Sequence, residues 1–446
     1  MVSQSIGDID LSVEVLKGVS AKFTQAVLGF AGTILFARIL GPTSFGGFYL
    51  VMSLVRVVDW PTRGLATAAK KRYSESDSSR KEIVGAQVIA NLALIGVVGV
   101  IAIVFQERLI SYSGVDSAPS LFFIMFVALV FFYPFQQLLT ARGLVGLQAW
   151  NDTVRSVTTF LLQLGLVLAG WGVAGMAVGW TLSTVLAVPI TFYFLRTVPA
   201  LPSIETLRSL FSYAKYSSLT AIAGKTYARY DVLLLGLVIG PAASGYYEAA
   251  LKLSVPATFV ATIAGSGLMA KVSNRHNKGQ NIDQTVSDTL SYSSILAIPM
   301  FFGGVIISEQ LVVTAYGAKY REAAVLLVGL LLYQLVRTQS RVLTQTLSGM
   351  DMPDLIMRIS VVTLVTNVVL GYGLLITVGL IGVVIGTVVA ESVRYLCNAM
   401  FVHRYEPNVT IIPRQIRLQV LSSGLMCAVV FLLERVVKIN SFVILG

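Results

Sequence analysis

Charged side chains lie inside the most apolar segments of this 446-residue sequence, and most of them are cations. A charge at the middle of a membrane costs about 2.5–3.5 kcal/mol on insertion scales, so such residues usually face a partner or a polar cavity. The cations are Lys22, Arg56, Arg63, Lys225, Arg229, Lys252, Arg337, Arg341 and Arg394, and the acids are Asp59, Asp231, Glu248 and Glu391. Because nine cations cannot be neutralised by four acids, the set favours an anionic ligand.

Two pairs of these cations each lie on one face of their own predicted helix, which indicates what they could bind. Lys225 and Arg229 are four residues apart, as are Arg337 and Arg341. Like charges at this spacing repel one another, so each pair should be costly without an anion nearby. The planar guanidinium group of arginine also matches the oxygens of a phosphate. We therefore expect a cation-lined site formed by Lys22, Arg56, Arg63, Lys225, Arg229, Lys252, Arg337 and Arg341 in a cavity between two halves of the protein.

The acids have cations at helical spacing, which suggests a supporting role. Asp59 lies three residues after Arg56 and four before Arg63, and Glu248 lies four before Lys252. Glu391 and Arg394 are three apart and fit simple self-neutralisation. Two roles remain open for the candidates Asp59, Asp231 and Glu248. They hold the cations in place, which is the preferred interpretation, or they bind a coupling ion.

The segments that carry these charges are predicted membrane helices. The chain is 55% hydrophobic and only 12% charged, with a mean hydropathy of +0.78, whereas an ordinary soluble domain is about a quarter charged. A spanning helix needs about 20 mostly apolar residues. Such runs are predicted near 14–39, 45–68, 83–105, 119–141, 152–170, 173–195, 213–238, 244–270, 286–308, 322–347, 355–377, 380–402 and 417–437. The fold class is therefore an all-α polytopic membrane protein with about 13 transmembrane helices.

The sequence contains an internal repeat. LGPTSFGGFYL at 40–50 returns as IGPAASGYYEA at 239–249, and the GVAG run that starts at Gly172 is matched by GLIG from Gly379. Gly146 and Arg155, after the fourth span, are similarly matched by Gly349 and Arg358, after the tenth. Six helices in each half place both halves in the membrane with the same orientation, as parallel repeats. The expected organisation is a six-helix lobe at 1–195, a linker at 196–212, a second six-helix lobe at 213–402, and a loop with one extra helix at 403–446.

The linker carries its own pattern. Pro199 and Pro202 end the preceding helix, and Ile204, Leu207, Leu210 and Phe211 then form an apolar stripe. We expect a short amphipathic helix on the cytoplasmic surface that tethers the lobes.

Loop charge predicts the orientation and excludes a nucleic-acid partner. Lys and Arg concentrate in the loops after the second, fourth, sixth, eighth and twelfth spans, which is the pattern of cytoplasmic loops. The N-terminus is then cytoplasmic, and the location is the plasma membrane of a bacterium or archaeon. The net charge of +11 comes from these short loops and the spans, so we expect no nucleic-acid partner.

No residue pattern predicts catalysis, a metal or a cofactor. Cys397 and Cys427 lie in apolar helices, and His276 and His403 stand alone. The AGKT run at 223–226 lacks the earlier glycine of a phosphate-binding loop, because position 219 is Leu. No Ser/His/Asp set or carboxylate pair stands out. We expect neither an enzyme nor a cofactor.

Four stretches carry a resemblance to a known family. They are ARILGPTSFGGFYLVMSL at 37–54, ARYDVLLLGLVIGPAASGYYEAALKL at 228–253, YGAKYREA at 316–323 and GLIGVVIGTVVAES at 379–392. In this order and spacing they resemble the Wzx-like polysaccharide or oligosaccharide flippases of the multidrug/oligosaccharidyl-lipid/polysaccharide exporter superfamily. The resemblance implies two six-helix lobes and alternating access. It also implies a cationic cleft on early spans, here those of Lys22, Arg56, Lys225, Arg229 and Lys252, that holds a lipid-linked phosphate or pyrophosphate.

These expectations point to a flippase that moves a polyprenyl- or dolichyl-phosphate-linked sugar to the outer leaflet. The expected partners are that lipid-linked sugar, membrane lipids and glycosyltransferases of the same pathway, with the protein itself a monomer. The nearest alternative is a cation-coupled multidrug exporter of the same fold, whose cationic substrates would favour unpaired acids in the spans. A membrane glycosyltransferase would need a sizeable catalytic loop, and a non-transporting assembly subunit also stays open.

Overall fold

The protein is all-α throughout the described part of the chain. The computed structural model describes residues 11–75, 80–265 and 267–437, with side chains described except at 11–23, 216–225 and 434–437. By contacts the chain divides into two compact units, unit 1 at Met1–Gly245 and unit 2 at Tyr246–Gly446.

Eight long or short α-helices make up most of unit 1. They are α1 (Leu11–Val58), α2 (Trp60–Glu75), α3 (Arg80–Val104), α4 (Gln106–Ser113), α5 (Ala118–Ala141), α6 (Val145–Leu166), α7 (Gly172–Leu195) and α8 (Ile204–Val238). A single π-helical turn, Val167–Trp171, joins α6 to α7.

Helix α9 begins at the end of unit 1, and the helices that follow it belong to unit 2. The bounds are α9 (Pro241–Ser254), α10 (Phe259–Gly265), α11 (Leu268–Asn277), α12 (Asp283–Ser293), α13 (Ala297–Tyr316), α14 (Ala323–Gly349), α15 (Pro353–Val378), α16 (Leu380–Tyr405) and α17 (Arg414–Val437). Short 3₁₀ turns at Val255–Thr258 and Ala318–Tyr320 lie between α9 and α10 and between α13 and α14.

Ten helical segments of the described chain are long and apolar enough to cross a membrane. Two of them overlap two predicted spans each, because the structure joins helices that the sequence separates; the first is Thr24–Val58. The second covers Val145–Leu195, across α6 and α7. The membrane-helix class is therefore confirmed, while the number of thirteen spans stays a prediction.

The first two predicted spans are one helical run with a sharp break. Within α1, Gly41 has φ +74°, a left-handed conformation that glycine adopts without strain from a Cβ. Pro42 follows it and restarts the helix, since proline lacks an N–H and fits a first turn. The expected turn between the first two predicted spans, at 40–44, is therefore a kink within α1.

The linker is anchored on unit 1. The N-terminal end of α3 holds it through Glu82, whose carboxylate accepts from the Ser203 N–H at 2.9 Å, from the Ser203 hydroxyl at 2.7 Å and from the Thr206 hydroxyl at 2.6 Å. The predicted short amphipathic helix does not end at 212, because it is the first part of the continuous helix α8. Its apolar stripe also divides, with Leu210 1% exposed and Ile204 85% exposed.

Small residues let helices approach closely in each unit. In unit 1, a Cβ on Gly179 of α7 would meet the backbone of Gln163 on α6. In unit 2, a Cβ on Gly386 of α16 would meet the backbone of Gly371 on α15. Close approach at small residues is a common way of packing membrane helices. Gly179 and Gly386, each four residues after the GVAG and GLIG runs, therefore serve the same packing role in both halves.

The opening repeat also makes a reciprocal contact inside unit 1. A Cβ on Gly46 would overlap the carbonyl oxygen of Pro241, and one on Gly245 would overlap the carbonyl oxygen of Pro42. The two Gly-Pro turns thus lie against each other. This role is structural, because it needs backbone contact and no side-chain chemistry.

Candidate functional site

A break between α1 and α2 places a buried acid in the middle of a predicted span. Asp59 lies between the two helices, and its side chain is fully buried. Pro61 follows and cannot donate a backbone hydrogen bond to the preceding turn. The helical pattern nevertheless continues, since Asp59 N–H donates to the Val55 carbonyl at 3.1 Å and Arg63 N–H donates to the Asp59 carbonyl at 3.2 Å. The predicted span at 45–68 is therefore two helices with Asp59 at their junction.

Asp59 and Tyr133 hold the guanidinium group of Arg63 from two directions. Arg63 Nε lies 2.7 Å from Asp59 Oδ2, and the Arg63 side chain is 12% exposed. Its central carbon lies 3.8 Å from the centroid of the Tyr133 ring on α5. A cation over an aromatic face is attracted by the ring quadrupole, by about 2 kcal/mol or more where water is excluded. The spacing of Asp59 and Arg63 predicted their pairing, whereas no sequence signal linked Arg63 to Tyr133.

Polar contacts continue from Arg63 towards the far end of α2. Lys70 Nζ donates to Gln137 Oε1 at 3.3 Å, and the Ser74 hydroxyl donates to the Ala141 carbonyl at 3.4 Å. We call the six residues that face each other here the α2–α5 seam. They are Arg63, Lys70 and Ser74 on α2, and Tyr133, Gln137 and Ala141 on α5. Residues seven apart on a helix share a face, so Arg63 and Lys70 lie about 10 Å apart along it.

Unit 2 carries cations on α14. Arg337 and Arg341 are both exposed on one face of this helix, although it is otherwise largely buried. Arg337 lies 5.5 Å from the ring centroid of Tyr333, and Arg341 Nη1 donates to the Thr262 hydroxyl of α10 at 3.4 Å. We call Tyr333, Arg337 and Arg341 with Thr262 the α14 face. Its two arginines are the like-charge pair that the sequence predicted.

A buried acid also lies in unit 2. Glu248 on α9 is fully buried, and Lys252 on the same helix is half-buried. Neighbouring hydrogen bonds fix this helix. Tyr316 donates its hydroxyl to the Ala249 carbonyl at 3.0 Å, and Gln334 Nε2 donates to the Ser254 hydroxyl at 3.2 Å.

The structure also gives the burial of further candidate residues. Arg56 and Arg229 are half-buried in unit 1, and Asp231 is 8% exposed. The side chains of Lys22 and Lys225 lie outside the described residues. Arg394 of α16 pairs with the buried Glu391 at 3.4 Å, as their spacing predicted.

Among the six seam residues, only Arg63 was a candidate from the sequence. Tyr133, Gln137 and Lys70 contact each other's helices only because α2 and α5 pack side by side. Tyr133, Gln137 and Thr140 follow a helical spacing of four and three, which is the one sequence signal of a polar face on α5.

The arrangement can bind an anion. Guanidinium and ammonium groups offer several donors and no acceptor, which suits phosphate oxygens. Among the described residues, no group of three or more His, Cys, Asp or Glu side chains is placed to hold a metal ion.

Comparisons with known proteins identify relatives along most of the chain. The model of a family described as polysaccharide biosynthesis protein matches residues 35–325. The chain is 26% identical over 445 residues to the probable low-salt glycan biosynthesis flippase Agl15 of Haloferax volcanii, covering 98% of this chain and 92% of the relative. It is 27% identical over 424 residues to the probable flippase AglR of the same organism, covering 92% and 87%.

A solved structure shares the fold. The structure of lipid II flippase MurJ in an inward closed conformation superposes with a TM-score of 0.80 at 16% sequence identity, covering 94% of this chain and 92% of that one. At this identity the likeness concerns the arrangement of the helices.

Proposed function

Because the chain belongs to the polysaccharide biosynthesis protein family, as its Wzx-like motifs predicted, we propose that it is a flippase for a lipid-linked sugar. It moves a sugar or oligosaccharide joined by phosphate or pyrophosphate to a polyprenyl or dolichyl lipid. The observation that carries the proposal is similarity along nearly the whole chain to two named glycan flippases, in a protein whose spans carry excess cations. The protein is a transporter and not an enzyme.

The physical task of such a protein is to lower the cost of moving a charged, hydrated head group through hydrocarbon. Burying an isolated phosphate charge in an apolar medium costs many kcal/mol. Cations and hydrogen-bond donors inside the membrane offset much of that cost, while the lipid tail stays in the bilayer. The α2–α5 seam in unit 1 and the α14 face in unit 2 each supply such groups.

Several finer features belong to the same proposal. The N-terminus is cytoplasmic, and transport runs from the cytoplasmic to the outer leaflet by alternating access. The candidate cations Lys22, Arg56, Arg63, Lys225, Arg229, Lys252, Arg337 and Arg341 contact the head group, with Asp59, Asp231 and Glu248 supporting them. The protein acts as a monomer in a cell membrane and receives its substrate from glycosyltransferases that build surface polysaccharide or protein-linked glycans.

The charge balance disfavours export of cationic drugs. An exporter of lipophilic cations needs acids that remain available to its substrate. In unit 1 the buried acid Asp59 contacts Arg63, and in unit 2 Glu391 contacts Arg394. Both curated relatives are also named as flippases.

The test is transport by purified full-length protein in vesicles. A fluorescent short-chain polyprenyl pyrophosphate sugar is placed in both leaflets, and a membrane-impermeant reductant added outside bleaches the accessible label. With a flippase the bleached fraction should rise from about half towards completion, whereas protein-free vesicles should stop at about half. A parallel assay with ethidium tests the exporter alternative. Bleaching that stays at half, or ethidium transport in its place, would contradict the proposal.

A further inference from the structure

We propose that the segment joining α7 to α8 binds anionic phospholipid, with its apolar side chains in the surface of the adjacent leaflet and its cations on the lipid phosphates. We call the exposed side of this segment the linker face. Its members are Val198, Leu201, Ile204, Arg208, Phe211 and Lys215. The proposal concerns the surrounding membrane and goes beyond the proposed function, because it does not depend on what the protein transports.

The fold leaves four apolar side chains of the linker face exposed. Leu201 is 88% exposed and Ile204 is 85% exposed, and Val198 and Phe211 are exposed as well. All four lie outside the ten helical segments that are long and apolar enough to cross a membrane. Contact with hydrocarbon along a span therefore does not account for them. Neighbouring exposed apolar side chains usually mark a surface that binds a membrane or another protein.

The linker cannot turn these side chains inward, because the N-terminal end of α3 holds its backbone. The Ala200 N–H donates to the Lys81 carbonyl at 3.0 Å, and a Cβ on Gly85 would overlap the Ala200 carbonyl oxygen. Glu82 then accepts from the N–H and the hydroxyl of Ser203, at 2.9 and 2.7 Å. A segment that is fixed in this way loses little conformational freedom when it binds a ligand.

The first turns of α8 have two faces with different roles. One face packs into the apolar core of unit 1 through Leu210 and Ala214. The other face is exposed and alternates apolar and basic residues at helical spacing, in the order Ile204, Arg208, Phe211 and Lys215. Basic residues beside apolar ones suit a membrane surface, since their stems lie along apolar groups while their charged ends reach the phosphates.

An aromatic residue at the end of α7 indicates the depth of the linker in the membrane. Tyr193 is 70% exposed and lies two residues before α7 ends at Leu195. Tyrosine concentrates at the interface between membrane and water, so the linker begins at the depth of the lipid head groups.

The charge around the linker face selects the lipid. Residues 196–215 and the first turn of α3 carry more cations than acids. The cations are Arg80, Lys81, Arg196, Arg208 and Lys215, and the acids are Glu82 and Glu205. Because each cation near a membrane surface adds to the attraction for anionic lipid, this segment fits an anionic phospholipid better than a zwitterionic one.

The test places a fluorescent label on the linker face of the purified full-length protein in vesicles. Cys397→Ser and Cys427→Ser remove the native thiols, and Ile204→Cys takes an environment-sensitive label. Lipids with a nitroxide near the head group should quench this label strongly, whereas acrylamide in the water should quench it weakly. Gln280→Cys, in the exposed loop between α11 and α12, is the matched control and should show the reverse.

A second arm measures the preference for anionic lipid. Spin-labelled phosphatidylglycerol is compared with spin-labelled phosphatidylcholine at equal fractions, and it should quench the label at Ile204 roughly threefold more, since several cations act together. Arg208→Gln combined with Lys81→Gln should lower that ratio about twofold or more. Lys278→Gln, which removes an exposed cation of the control loop, should leave the ratio unchanged. Size-exclusion profiles and thermal melts establish that each variant is folded.

Three results would overturn the proposal. Acrylamide that reaches the label at Ile204 as readily as the label at Gln280 would place the linker face in water, where a protein partner could cover it. Equal quenching by the two spin-labelled lipids would reject the preference for anionic lipid. An equal fall of the ratio in Lys278→Gln would show that the linker cations are not its source. No sugar and no transport step enters these measurements, so failure of the proposed function would leave their outcome unchanged.

Discussion

The α2–α5 seam of unit 1 and the α14 face of unit 2 occupy related places in the repeat, but their cations lie on different helices. The run QQLLT at 136–140 of α5 matches SRVLT at 340–344 of α14, so Gln137 corresponds to Arg341 and Tyr133 to Arg337. By the 199-residue spacing of the opening repeat, Arg63 corresponds to Thr262. In unit 1 the cation is on α2 and its neutral neighbour on α5, whereas in unit 2 the cation is on α14 and its neutral neighbour on α10.

The packing beneath these residues supports the correspondence. Gln136 Nε2 donates to the Thr191 hydroxyl at 2.8 Å between α5 and α7. The corresponding helices of unit 2 are joined where Asn398 Nδ2 donates to the Ser340 carbonyl at 3.3 Å. The repeat thus preserves a buried polar contact behind each face and a positive charge on it, while the helix that carries the charge is free to differ. The comparison predicts that within a polar site the sign of the charge matters more than which helix supplies it.

The largest expected effect is on stability, because the Asp59–Arg63 pair of unit 1 is mostly buried whereas Arg341 of unit 2 is exposed. Asp59→Ala should destabilise the protein by about 3 kcal/mol or more, because it leaves the mostly buried Arg63 without its neighbouring carboxylate. Arg341→Gln, on an exposed side chain, should change stability by less than about 0.5 kcal/mol. Denaturant unfolding of the two variants in detergent measures both values. Equal losses would show that the two cations sit in similar environments.

The next effect concerns transport through the α14 face. Replacing both Arg337 and Arg341 by Gln should lower the transport rate roughly ten- to a hundredfold, since each charged hydrogen bond to a phosphate contributes about 1.5–3 kcal/mol and part of that is shared. The fluorescent lipid assay in vesicles measures the rate. The control is Arg394→Gln together with Glu391→Gln, a neutralised pair that should transport much faster than the double α14 variant.

A smaller effect tests whether it matters which helix carries the cation. By the same 199-residue spacing, Lys70 of α2 corresponds to Met269 of α11 in unit 2. Lys70→Met therefore removes the charge that unit 2 lacks at this position, and it should lower transport about threefold, as expected for a partly exposed cation. Adding Gln137→Arg moves the charge to α5, as in unit 2, and should restore most of the loss. A double variant as slow as Lys70→Met would mean that position on α2, and not charge alone, is required.

The smallest effect is expected at the ion pair between Arg155 and Asp152 on α6. Arg155→Gln should change stability by about 0.5 kcal/mol or less and leave transport unchanged, because its carboxylate partner is partly exposed and lies on the same helix. Thermal melts and the vesicle assay measure the two quantities. A transport loss comparable to that of the double α14 variant would show that Arg155 takes part in transport.

Much of the fold could be predicted from the sequence because a membrane restricts the choices. Apolar runs of sufficient length must form helices that satisfy their own hydrogen bonds, so the all-α class followed directly. The Asp59–Arg63 and Glu391–Arg394 pairs followed from residues that lie on one helix face. Breaks and continuations were less predictable. Gly41 kinks α1 without a loop, and α8 continues past 212, because each outcome depends on what the neighbouring helices contact.

The sequence by itself determined that the protein lies in a membrane, that its halves repeat and that the charge within its spans is mainly positive. These are properties of composition and local spacing, which a linear pattern contains. The tertiary structure alone decided that Tyr133 covers Arg63, that Gln137 meets Lys70 and that Thr262 meets Arg341. Those contacts join helices 67 to 79 residues apart in sequence, and they depend on which helix faces pack together. No local periodicity encodes that choice.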